Sequence, residues 1–261
     1  MMLYLIVAML VLFILGYLFF SKRKAKQPIG PQQESQYRDL LEKHVDFYRK
    51  LNPEEQQNFI VRIEAFLQDI HIEGVGSELE DLDRVLIAAS ALVPIFGFKD
   101  WRYPNLTNVI LYPDTFNNDF QFESGKREIA GMVGSGFMNG QMLLSRVALR
   151  KGFSASAGTE NTAIHEFVHL LDQEDGATDG KPEHLLPQEY IEPWLKLIHQ
   201  EIRKIEAGKS DINLYAITNE AEFFAVVSEY FFEKPEKLKQ KHPELYEMLC
   251  QIFLQKPLKQ Q

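Results

Sequence analysis

An α+β fold, mainly helical around a small sheet and set behind an N-terminal membrane-spanning helix, is predicted by three features of this 261-residue chain. The first 20 residues carry no charged side chain. Two short apolar runs bounded by turn formers lie mid-chain, and from residue 161 onward apolar residues recur at helical spacing. With 45% hydrophobic and 25% charged residues, the composition is that of a globular protein and excludes a disordered, collagenous or low-complexity chain. A net charge of −9 gives no electrostatic footprint for direct nucleic-acid binding. The single cysteine, Cys250, excludes a disulfide framework and any multi-cysteine zinc ribbon.

Residues 1–20 as a helix rise roughly 30 Å, the thickness of a bilayer hydrocarbon core. Lys22, Arg23, Lys24 and Lys26 follow directly, which favours a single-pass anchor with the body on the cytoplasmic side of the inner membrane. A cleaved secretory signal would need its charges before the apolar run and small residues at the cut, whereas here the charges follow Leu18-Phe19-Phe20-Ser21. Removing this flank leaves 24 basic against 37 acidic residues in 27–261, a body charge of −13. Such a body is repelled by an anionic leaflet and is held there by the anchor and its basic flank.

The polar stretch 27–36, with Pro28 and Pro31, reads as a linker that ends a 21–36 flank. A helix is expected over 37–50. Asn52, Pro53 and Glu55 then supply an N-cap, a first-turn proline and a capping glutamate for a second helix carrying Phe59, Ile60, Ile63, Phe66, Leu67 and Ile70. Residues 83–95 form a third, more buried helix. Residues 108–113 and 140–147 read as strands, and the four glycines of 131–140 as a mobile turn; that segment lacks the Gly-Lys-Ser/Thr ending of a phosphate loop. Helices follow at 161–174, 189–207, 219–233 and 242–254. The body 37–261 fits one α+β domain.

His165-Glu166-Phe167-Val168-His169 is the strongest chemical signal. Histidines at i and i+4 project from one helical face, so both imidazoles reach a single metal ion, while Glu166 is placed to act on a water beside it. This is zincin spacing, with two ligands and a general base in one turn. Asn161 or Thr162 can cap this helix and Gly176 can end it. A third ligand is needed. The metzincin pattern requires Gly at 172 and His at 175, and this chain has Asp172 and Asp175. Asp172 can orient a ligand imidazole. For the third ligand, spacing leaves open Asp175, Glu222 on the apolar 219–233 helix, and Glu229 two turns further on; Glu222 also stands where Asn219 would form a capping box with it.

The stretches His165-Glu-Phe-Val-His-Leu-Leu-Asp-Gln-Glu-Asp-Gly176 and Asn219-Glu-Ala-Glu-Phe-Phe-Ala-Val-Val-Ser-Glu-Tyr-Phe-Phe232 resemble the Mlc titration factor A family. These are zinc-dependent bacterial peptidases, also described as glucose-regulated metallopeptidases. Leu51-Asn-Pro-Glu-Glu, Asp83-Arg-Val-Leu-Ile-Ala-Ala, Val109-Ile-Leu-Tyr-Pro113 and Gly140-Gln-Met-Leu-Leu-Ser145 match as well, so the likeness runs over most of the chain after the linker. The resemblance implies a zincin-like, gluzincin-type domain with Zn²⁺ as cofactor and the third ligand on Glu222. It also puts on Tyr215 a tyrosine that faces the metal, as in the similar catalytic domain of anthrax lethal factor. The apolar start departs from the family, whose best-known member is a soluble cytosolic protein.

The expected activity is membrane-anchored, zinc-dependent hydrolysis of peptide bonds in a peptide or protein substrate, with endopeptidase and aminopeptidase action both open. His165, His169 and Glu222 hold zinc, Glu166 takes the proton of the attacking water, and Tyr215 helps to stabilise the oxyanion. The 141–147 strand is expected to pair with an extended substrate as an edge strand. The alternative is a regulatory module that sequesters a transcription repressor with little proteolysis. An intact Glu166 weighs against a purely structural zinc, which has no use for a base.

Overall fold

The computed structural model describes residues 30–122, 126–134 and 138–258. The predicted anchor and the basic residues after it lie outside that set, and among the described residues no helix is long and apolar enough to cross a membrane. Helix α1 (Pro31–His44) starts within the stretch read as linker. Pro31 opens its first turn, where a missing N–H costs nothing, and Tyr37 and Leu41 bury its inner stripe. Extended Val45 separates α1 from the single turn α2 (Asp46–Arg49), so the expected 37–50 helix is two. Helix α3 (Pro53–Asp69) begins with the predicted reciprocal box: Glu55 N–H donates to Asn52 Oδ1 at 2.9 Å and Asn52 N–H to Glu55 Oε2 at 3.0 Å. Helix α4 (Asp81–Ile95) is buried at every position from Val85 to Ile95 and forms the centre of the core.

The sheet contains β1 (His71–Gly74), β2 (Asn108–Tyr112), β3 (Gly131–Val133) and β4 (Gln141–Ser145), in the order β1-β2-β4-β3. β1, β2 and β4 are parallel; β3 runs antiparallel to β4, with Gly131 opposite Leu144 and Val133 opposite Met142. Two expectations are corrected here. The 140–147 strand is interior, because β3 covers its outer side, and so it cannot serve as the substrate edge. The edge strands are β1 and β3, and the edge next to the helix that carries His165 and His169 is β3, three residues inside the segment read as a mobile turn. Strand alternation sends Val109, Leu111, Met142 and Leu144 into the main core, while Tyr112 and Leu143 join Phe116 in a small second cluster on the other face.

The predicted strand also ends early. Ser145 Oγ accepts the Ala148 N–H and starts helix α5 (Arg146–Gly152). The C-terminal half is helical as expected: α6 (Thr162–Asp172), α7 (Gln188–Glu206), α8 (Glu220–Glu233) and α10 (Pro243–Phe253), with an additional α9 (Pro235–Lys241). Helix α6 packs against α4, α8 and β3. Its Phe167 meets Tyr103 and Phe66 with ring centroids 5.1 and 5.9 Å apart, and Phe224 and Phe231 of α8 each stack on Phe253 at 5.8 Å.

One buried charge holds α4 to α5. Asp83 is fully buried, 2.8 Å from Arg150 Nη2 and 3.1 Å from Arg146 Nη2, and it also accepts the Glu80 N–H at the start of α4. Asp83→Ala leaves two arginines facing a buried void. It should lower stability by about 3 kcal/mol, read as a lower urea midpoint with an unchanged slope.

Candidate metal centre

Two helix starts position the site. Asn161 caps α6, its Oδ1 accepting the Ile164 N–H at 3.2 Å, and this sets His165 and His169 one turn apart on the face toward α8. Asn219 caps α8 by accepting the Glu222 N–H at 2.8 Å. The Glu222 carboxylate, instead of closing a capping box, faces the two imidazoles. Its Oε2 stands 2.9 Å from His165 Nε2 and 3.5 Å from His169 Nε2, and the two ring nitrogens are 3.0 Å apart. Around a tetrahedral ion with ligand bonds of about 2.0–2.1 Å, such atoms lie about 3.3 Å apart. The three separations bracket that value. Among the described residues this is the one cluster of three or more potential metal-ligand groups.

The donors fit a cation electronically as well. His165 Nδ1 lies 2.7 Å from Glu229 Oε1, which keeps a proton on that nitrogen and leaves Nε2, turned to Glu222 and His169, as the atom that a metal ion would take in exchange for a proton. Burial opposes a charge on His165, yet its hydrogen bonds to Glu222 and Glu229 outweigh it and push the imidazole up to about 10. Burial opposes ionisation of Glu222 too, but hydrogen bonds from both histidines pull its carboxyl down to about 2. Positive charge is therefore favoured among the three atoms, in the place a divalent ion takes by displacing a proton. Two imidazoles and one carboxylate suit zinc.

Glu166 is buried, with its side chain against Gly131 of β3 and in the same cleft as the three ligands. A Cβ on Gly131 would lie 2.7 Å from both its Cγ and Oε1, so the glutamate is wedged against the sheet edge by a glycine backbone. Burial raises its pKa, opposed by the nearby histidines. Tyr215 sits on a short 3₁₀ turn (Leu214–Ile217) with its ring 6.0 Å from that of His165 and half its surface exposed. Partial burial and the carboxylates of Glu222 and Glu166 raise its phenol, which stays protonated. These groups line a cleft of about 350 Å³ together with Gly131, Met132, Val133, Gln173, Thr178 and Asn219. A larger hollow of about 610 Å³, between α3, α4 and residues 99–107, holds none of this chemistry.

Asp172 is fully buried at the end of α6. Its Oδ2 accepts the Gly180 N–H at 2.8 Å, fastening the end of α6 to the loop beside α8. Gly180, at φ +73°, packs so closely on the Glu220 carbonyl that a Cβ would lie 2.3 Å from that oxygen. The carboxylate that orients His165 is Glu229, which the spacing argument held only as a fallback ligand; its seven-residue distance from Glu222 was the signal, since both lie on one face of α8. Its other oxygen takes the Asn161 N–H, and Asn161 Nδ2 donates to Glu233 at 2.8 Å. Burial holds the Glu233 carboxyl up at about 7. The side chain of Asp175 lies outside the described residues.

The sequence profile of the family described as glucose-regulated metallo-peptidase M90 matches residues 20–254. Among curated relatives, Mlc titration factor A of Escherichia fergusonii is 32% identical over 87% of this chain and 89% of its own length. Mlc titration factor A of Salmonella schwarzengrund is 31% identical over 88% and 90%. An uncharacterized protein of Synechocystis is 28% identical over 95% and 94%.

Removing the Glu229 carboxylate leaves His165 free to rotate and to change tautomer. Glu229→Ala should weaken zinc binding about 10- to 100-fold in a chelator competition titration, with helix content retained in circular dichroism.

Proposed function

We propose, from the premise that this chain belongs to the glucose-regulated metallopeptidases of family M90, that His165, His169 and Glu222 hold zinc and that the site hydrolyses peptide bonds. The observation that carries this reading is the approach of three lone-pair atoms to within 3.5 Å of one another, with a buried glutamate beside them and an open strand edge next to it. Zinc bound there supplies positive charge that acidifies a water toward neutrality and polarises a carbonyl.

The protein's own groups do the rest. An extended substrate adds to the free edge of β3, which replaces β4 in the role of pairing strand, and its scissile carbonyl is drawn past Glu166. Glu166 accepts the water proton as the oxygen–carbon bond forms. It returns that proton to the amide nitrogen as the carbon–nitrogen bond breaks. The Tyr215 hydroxyl donates to the carbonyl oxygen while charge collects there. Repressor binding is the second reading: the relatives' name says that they titrate Mlc, and this chain would then hold a repressor as partner or as substrate. Residues 1–20 and the four basic residues after them support a single-pass anchor with the site in the cytoplasm.

Glu166→Gln in the full chain, purified in detergent, should keep stoichiometric zinc and lose at least about 100-fold in peptide cleavage. A zinc-loaded wild type that cleaves no peptide in a broad panel, or a variant that matches it, contradicts the enzyme reading. Capture of a repressor by that same variant would separate holding from cutting.

In cell fractionation the full chain should stay with membranes after a high-salt, alkaline wash, and deletion of residues 2–20 should release it. Full recovery of the intact chain in the soluble fraction contradicts the anchor.

A further inference from the structure

A second charge cluster lies away from the ligands, and the mechanism above makes no use of it. His242, at the junction of α9 and α10, is buried with its Nδ1 2.9 Å from Glu201 Oε2 on α7 and its Nε2 3.0 Å from Asp211 Oδ1. An acceptor carboxylate on each ring nitrogen requires a proton on both, so His242 is held as an imidazolium. These hydrogen bonds raise its pKa against the opposing effect of burial. The other Asp211 oxygen takes the Tyr230 hydroxyl of α8 at 3.0 Å, and Lys237 and Lys241 of α9 at 2.8 and 3.0 Å. One aspartate is thus tied to two helices and the junction that follows them.

Asp211 stands four residues before Tyr215, and the chain between them has little freedom. Ile212 is buried in the core. Asn213 Oδ1 accepts the Tyr215 N–H at 2.9 Å, and its Nδ2 donates at 3.0 Å to Glu160, the residue before the α6 N-cap. Ala216 is fully buried, and Thr218 Oγ1 donates to the Tyr215 carbonyl at 2.8 Å. The Tyr215 ring, by contrast, is half exposed, so its place over the ligands depends on its backbone together with the Glu222 carboxylate beside its phenol. A buried ion cluster is a weak source of net stability, since well-packed apolar residues of the same volume often do as well. Geometric definition is what this one supplies.

We infer that His242 is a positioning residue for the reaction: through Asp211 it fixes residues 211–218 so that the Tyr215 hydroxyl stands beside the metal ligands. This rests on the reading that Tyr215 serves hydrolysis.

The test is a double-mutant cycle on the zinc-loaded full chain, combining Tyr215→Phe with His242→Gln and, in parallel, with Asp211→Asn. Asp211→Asn is nearly isosteric at a partly exposed position and carries the same comparison if His242→Gln does not fold. Tyr215→Phe should lower kcat about 100-fold. His242→Gln and Asp211→Asn should each lower kcat about 10-fold, with KM and zinc content within about twofold of wild type. On the Tyr215→Phe background neither should lower kcat by more than about twofold further, because the group they position is already gone. Backbone amides of 211–218 should exchange about 10-fold faster in both variants, with or without zinc. Multiplicative losses in the double variants, or exchange unchanged at 211–218, overturn the positioning role and leave the peptidase reading intact. Wild-type activity in Tyr215→Phe overturns the hydroxyl's part in that reading, and this inference with it.

Discussion

Three atoms rich in electron density, His165 Nε2, His169 Nε2 and Glu222 Oε2, are pressed to within 3.5 Å of each other across the α6–α8 contact. Left to themselves they repel or share a proton, and a cation among them turns the repulsion into attraction. Much of the surrounding structure holds the two helices in that register. Glu229 reaches back from α8 to His165 Nδ1 and to the backbone of the α6 N-cap. At the other end of α6, Asp172 fastens Gly180, whose lack of a side chain lets the loop lie on the Glu220 carbonyl, while Trp194 Nε1 donates to the Gly180 carbonyl at 2.7 Å. Helix α6 is therefore pinned at both ends to the start and middle of α8.

The apolar frame explains why this register is stiff. The inward face of α6 carries Ile164, Phe167 and Val168, all buried, against the fully buried second half of α4. A shift that separated the ligands would open voids in a close-packed core, at a few kcal/mol for each large side chain left uncovered. The groups proposed to move protons sit where the frame ends. Glu166 is trapped between α6 and the backbone of β3. Tyr215 lies on an exposed turn whose order is borrowed from Asp211 and Asn213. Rigid ligands beside a more accessible hydroxyl and an open strand edge make a cleft that an extended chain can enter.

Much of this was legible in the sequence because it is encoded locally. The i,i+4 histidines, the Asn52 box, the Asn161 cap and the apolar period of α8 each need only a few neighbouring residues. What escaped is set by distant neighbours. β1 and β3 are four and three residues long and show no alternation; they are strands because β2 and β4 offer them hydrogen bonds. For the same reason nothing in 140–147 reveals that its outer side is covered. Glu229 orients His165, where the spacing offers it only as an alternative ligand, because helix spacing gives a side chain's face but not what lies opposite. Pro31, which reads as part of a linker, instead opens α1 at its first position, and Pro235 opens α9 in the interval between two expected helices.

The central claim is that these three side chains together bind one zinc ion, and X-ray absorption at the zinc edge on the full-length protein tests it most directly. The prediction is one zinc per chain, with two imidazole nitrogens and one carboxylate oxygen at about 2.0–2.1 Å, plus one further light-atom ligand. A spectrum without imidazole scattering, or a Glu222→Ala protein whose zinc content and spectrum match wild type, would contradict it.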